Sequence, residues 1–100
     1  MDASSIPDTA SISARPHVVS TTAGGEAVIL DPAASQYYSL DGVGEFVWGR
    51  LQGSVPLLDL RDAVVERYEV EPEVALADLK ALLSELSAVG LVDVMDTPPR

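Results

Sequence analysis

Catalysis needs titratable or nucleophilic side chains that converge, and this sequence offers few. It has no cysteine and one histidine, His17. The missing thiol excludes cysteine nucleophiles, disulfides and cysteine-ligated metal. His17 opens a short β-branched run and reads as a surface histidine, so no Ser/His/Asp set can be assembled. Asp59, Asp62, Glu66 and Glu69 recur along one helical segment and read as a solvated face. A carboxylate cation site would need oxygen ligands gathered in a loop, and no such loop stands out. Gly24-Gly25 is followed by neither a lysine nor a helix start, as a phosphate loop requires. The expectation is a protein that is not an enzyme and carries no cofactor or metal.

Binding chemistry has a better candidate in the stretch Gln36-Tyr37-Tyr38-Ser39-Leu40-Asp41-Gly42-Val43-Gly44-Glu45-Phe46-Val47-Trp48. Tyr37 and Tyr38 favour a pleated, half-buried backbone. Apolar residues then change to helical spacing at Val43, Phe46, Val47 and Leu51. Asp41 stands between the two patterns, where its carboxylate would cap the first turn. Sheet edges are normally blunted by lysine, proline or a cover, and Gln36 to Leu40 contains no lysine or proline. An edge left open in this way is what an incoming polypeptide strand requires. Tyr38 shares a face with Leu40 and should be core, while Tyr37 should lie on the open face.

The elements that must position this edge follow in order. Residues 1–14, rich in Ser, Ala, Asp and Pro, read as a mobile tail. His17–Thr22, Glu26–Asp31 and Gln36–Leu40 read as three strands, joined by the turns Ala23-Gly24-Gly25 and Pro32-Ala33-Ala34-Ser35. Short turns make this an antiparallel meander. The first helix spans about Gly42–Leu51. The second starts near Val55-Pro56, with the stripe Leu57, Leu60, Val64 and Tyr68. The third runs from Glu71-Pro72 to about Val89, with Gly90 as its stop. Its core face is read as Ala75, Leu79, Leu82, Leu86 and Val89, widened by Leu76 and Leu83, with small Ala77, Ala81 and Ser84 on its other side. The expected fold class is α+β, a three-stranded antiparallel sheet followed by three helices. The domain spans 15–95 and a second tail 96–100.

One hundred residues make one small domain, and the apolar content of 47% is ample for a single core. The net charge of −10, from 16 acidic and 6 basic residues, argues against nucleic acid, whose phosphates want Lys and Arg. It argues equally against an anionic membrane surface. No apolar run approaches the roughly 20 residues of a membrane span, and the N-terminus lacks the pattern of a signal peptide. The expected location is the cytoplasm.

The ordered set Tyr37-Tyr38-Ser39-Leu40-Asp41, Gly44, Val47-Trp48, Tyr68, Asp78-Leu79, Leu82-Leu83, Leu86 and Gly90-Leu91 resembles the PqqD-like proteins, also called RiPP recognition elements. The likeness covers roughly His17 to Val94. It departs at Asp41, where many members have Asn, and at Val55, where many have Thr or Ser. The resemblance implies a small winged-helix-like domain that binds the leader of a ribosomally made precursor peptide. The leader adds as a strand to the third strand and lies against the third helix. The domain then delivers it to a leader peptidase or other modifying enzyme. The chain looks most like the recognition half of a split lasso-peptide B protein, whose leaders often carry Tyr-x-x-Pro.

On this reading Gln36, Tyr37, Tyr38, Ser39 and Leu40 supply the edge, and Leu76, Ala77, Asp78, Lys80, Ala81 and Leu83 wall the groove. Lys80, the only lysine, would pair with an acidic leader residue. The alternatives are a peptide chaperone for a radical-SAM or other RiPP enzyme, and, in another class, a winged-helix DNA-binding protein. The prospective recognition helix sets Lys80 against Glu71, Glu73, Asp78 and Glu85, which weighs against DNA.

Overall fold

The computed structural model describes residues 6–96. Nine elements follow in the order β1 (Ala10–Ala14), β2 (Val19–Ala23), β3 (Glu26–Asp31), β4 (Gln36–Asp41), α1 (Val43–Gly49), β5 (Val55–Pro56), α2 (Leu57–Tyr68), α3 (Pro72–Ala88) and β6 (Val92–Asp96). β2, β3 and β4 form the expected meander, with β3 in the centre and antiparallel pairing throughout. Glycines Gly24 and Gly25 turn β2 into β3 with positive φ at both positions, which is cheap only without a Cβ. The α+β class and the three helices follow the sequence patterns.

A second sheet, ordered β5-β1-β6, was not expected. Its central strand, Ala10–Ala14, falls in the segment read as a tail. Ala10 and Ile12 are fully buried, and the strand pairs with β6 along its whole length, from Ala10 opposite Asp96 to Ala14 opposite Val92. Ile6 is buried ahead of it. An alternating Ala-Ser-Ile-Ser-Ala run thus becomes a strand because a partner strand and a core face await it. Residues 1–5 and 97–100 lie outside the described residues; Asp96, assigned to the second tail, ends β6.

Two local expectations fail. Asp41 does not cap α1: it pairs with Glu26 at the end of β4, and Gly42, at φ 56, takes the cap position without a side-chain hydrogen bond. The chain turns from strand to helix through a conformation that suits glycine better than a capping acid. Val55 and Pro56 do not open α2 but pair with Ile12 and Ser11 of β1, so α2 starts at Leu57.

The C-terminus of α3 ends as its Gly90 indicates. Gly90 lies at φ 79, its N–H donates to Ser87 O at 3.1 Å, and Leu91 N–H donates to Leu86 O at 2.9 Å. This paired closure frees the chain to reverse into β6. One core joins both sheets and all helices, centred on Ile12, Ile29, Val47, Leu51, Leu57, Leu60, Leu79, Leu83 and Leu91.

Candidate peptide-binding edge and groove

The site is built on β4. Its six residues pair with β3 from Gln36 opposite Asp31 to Asp41 opposite Glu26. Among the described residues no strand pairs with its other side. In an antiparallel ladder alternate residues turn their N–H and C=O groups to one side, so half the backbone polar groups of β4 face outward along this border. The neighbouring turn holds the strand in place. Asp31, 5% exposed, accepts from the N–H groups of Ala33 (3.1 Å) and Ala34 (3.4 Å), and His17 Nε2 lies 3.3 Å from the same oxygen. Trp48 Nε1 donates to Ser20 Oγ at 3.1 Å and ties α1 under the opposite edge of the sheet.

The two tyrosines divide as their spacing predicts. Tyr38 and Leu40 are half-buried and pack on the core, whereas Tyr37 is 74% exposed on the outer face. α1 rests closely on the strand: a Cβ built on Gly44 would lie 3.3 Å from the Leu40 Cβ.

Where β4 ends, a groove begins. Val43 of α1, Val64, Tyr68 and Val70 from α2 and its following turn, and Ala75, Asp78, Leu79 and Leu82 of α3 line a depression of about 260 Å³. Its lining residues are apolar except for Asp78 and the hydroxyl-bearing Tyr68, and none is basic. Such a surface would accept an apolar or aromatic side chain carrying a hydrogen-bond donor.

The predicted wall of α3 is brought together only in part. Asp78 lines the groove. Leu83 does not, because it is fully buried in the core. Lys80 bonds to Asp8 at 2.6 Å and so belongs to the side of α3 covered by the N-terminal segment. Leu76 is half-buried against the core, and Ala77 and Ala81 are exposed away from the groove-lining residues, one residue before Asp78 and Leu82 respectively. Leu82, read as core, packs against the core and also lines the groove, while Leu83, read as widening the core face and as wall, is fully buried. Val89, also read as core, is 42% exposed. Val43, Val64, Tyr68 and Val70 were missed as lining, although apolar spacing put the first three on the two helices that precede the third; Val70 lies in the turn after α2.

Among the described residues no group of three His, Asp or Glu side chains could hold a metal ion. No helix among them is long and apolar enough to cross a membrane.

Comparison with known proteins gives the same geometry a family. No curated protein matches the chain. Among solved structures, it is similar to TbiB1 in complex with the TbiA(beta) leader peptide, at 26% identity and a TM-score of 0.74 over 81% of this chain and 94% of that one. A lasso peptide synthetase B1 complexed with its leader peptide aligns at 24% identity and 0.69, covering 82% and 96%. The PqqD truncation of Methylobacterium extorquens PqqCD, a stand-alone RiPP recognition element solved by NMR, aligns at 16% identity and 0.75, covering 93% and 99%. The family model for coenzyme PQQ synthesis protein D matches residues 26–92, from the start of β3 to the start of β6, and the chain belongs to the PqqD family.

Proposed function

We propose that this domain binds the leader segment of a ribosomally synthesised precursor peptide, one of the lasso-peptide class, by strand addition to β4. The observation that carries the reading is the outer border of β4, unpaired among the described residues, together with an apolar groove that includes Val43, two residues beyond the strand. Main-chain hydrogen bonds from Gln36–Asp41 give the affinity and the register, and the groove gives the choice of side chain. TbiB1, the 26% identical relative, was solved with a leader peptide, which supports the same task here. The domain acts by binding and not by catalysis, and it hands the bound precursor to a leader peptidase or another modifying enzyme.

Asp78 is the specificity element of the groove on this reading. A leader side chain that buries its apolar body between Tyr68 and Leu82 can offer a hydroxyl or N–H to the carboxylate. The test is titration of the purified domain with the leader of its own cluster's precursor, using Asp78→Asn and Leu82→Ala variants. Truncating a true anchor costs on the order of 1–3 kcal/mol of binding. Unchanged affinity in both variants would remove the groove from the site.

A further inference from the structure

The register of the meander sets three rows of side chains on the outer face of the sheet. Val19, Leu30 and Tyr37 lie directly opposite one another, as do Thr21, Val28 and Ser39, and then Ala23, Glu26 and Asp41. The face is uncovered: Val19 is 60% exposed, Leu30 43% and Tyr37 74%. The opposite face carries Ile29, fully buried, and Ser20 against Trp48, so the core lies entirely on the other side. The outer face therefore grades from an apolar row at the β3–β4 turn, through hydroxyls, to an acidic row beside α1.

Apolar side chains exposed in a row across three strands mark an interaction surface more often than chance. Two features indicate what covers it. The third column of the grid is β4 itself, so a peptide added to that strand becomes a fourth column and extends the same surface. The acidic margin of Glu26 and Asp41, on a chain of net charge −10, disfavours a second copy and favours a partner with basic side chains around an apolar patch.

We propose that the outer face of the β2-β3-β4 sheet is the docking surface for the enzyme that acts on the bound precursor, with Val19, Leu30 and Tyr37 at its apolar centre. This rests on leader binding at β4. The enzyme reads sheet and leader as one continuous surface, so the loaded domain is preferred over the empty one. Tyr37 belongs to both contacts, whereas Val19 and Leu30 belong to the enzyme contact alone.

The experiment measures affinity of the purified processing enzyme of the same gene cluster for the full chain, with and without leader, in the wild type and in a Val19→Thr, Leu30→Thr double variant. The expected result is leader affinity within about twofold of wild type and enzyme affinity lower by about tenfold. A folded double variant that binds the enzyme as the wild type does would overturn the proposal while leaving leader binding intact. Wild-type chain that binds no leader, yet loses the enzyme on double substitution, would retain this surface and reject the β4 reading. Should the double variant not fold, methyl NMR of the wild type decides: Val19 and Leu30 signals shift on adding enzyme, and unmoved signals reject the surface. Dimerisation of the wild type through this face in sedimentation would reject it as well.

Discussion

Phe46 meets Tyr68 edge to face, with ring centroids 5.7 Å apart and planes at 87°. This contact locks α1 to α2 and fixes the aromatic wall of the groove. The arginines Arg50 and Arg67 stack on its two outer sides, 5.0 Å from the Phe46 ring and 5.2 Å from the Tyr68 ring. Offset and edge-on aromatic pairs contribute about 0.5–1.5 kcal/mol beyond burial. Tyr68→Ala therefore lowers unfolding stability by about 2 kcal/mol, since the ring is only half-buried. Tyr68→Phe keeps the ring contact and stays within about 0.5 kcal/mol. Urea denaturation of the two variants distinguishes them.

Leu82 and Leu83 are adjacent in sequence and opposite in role. Leu83→Ala opens a cavity in a fully buried site and costs about 2–5 kcal/mol of stability. Leu82→Ala removes part of the groove and acts mainly on the peptide, weakening leader binding by about 1–2 kcal/mol. Denaturation curves and leader titrations on both variants should show this exchange of effects.

Lys80 pairs with Asp8 at 2.6 Å on the side of α3 next to the N-terminal segment. Both side chains keep partial solvent contact, so the pair contributes under about 1 kcal/mol. Lys80→Ala should leave leader affinity unchanged and reduce stability by no more than that amount. An affinity loss of tenfold in isothermal titration would return Lys80 to the binding surface.

Asp31 organises the turn that leads into β4. Asp31→Ala deletes the acceptor for Ala33 and Ala34 N–H groups. Ala33 and Ala34 are exposed, so water replaces the acceptor and the loss is about 1 kcal/mol. The loosened turn also weakens leader binding, because β4 loses its fixed register. Asp31→Asn keeps an oxygen at the position and recovers most of both effects. Thermal melts and titrations in parallel check the coupling.

The sequence was most legible where local chemistry and tertiary context agree. Gly24-Gly25 and Pro32 to Ser35 bound strands rich in β-branched and aromatic residues, and the meander follows. Pro72 and Gly90 bracket α3 to within a residue or two. Ala10–Ala14 escaped notice because Ala and Ser carry little strand preference, and its partner β6 lies some eighty residues on. Of the α3 wall residues read from the sequence, Asp78 lines the groove and Leu83 is buried, for a related reason. Apolar residues surround more than half of that helix, so periodicity fixes the helix but not its rotation. The helix buries Ala75, Leu79, Leu83 and Leu86 and leaves Asp78 and Leu82 to the groove. Asp41 was read as a cap on residue type alone, while the turn at Gly42 required positive φ.

The central claim is that the outer border of β4 takes up a strand. Amide hydrogen exchange of the full chain, with and without its leader peptide, tests it most directly. Alternate amides within Gln36–Asp41 are expected to exchange much more slowly when the leader is bound, while those of β2 are unchanged. Saturating leader that leaves every β4 amide exchanging as before, or protects the β2 edge instead, would contradict the account.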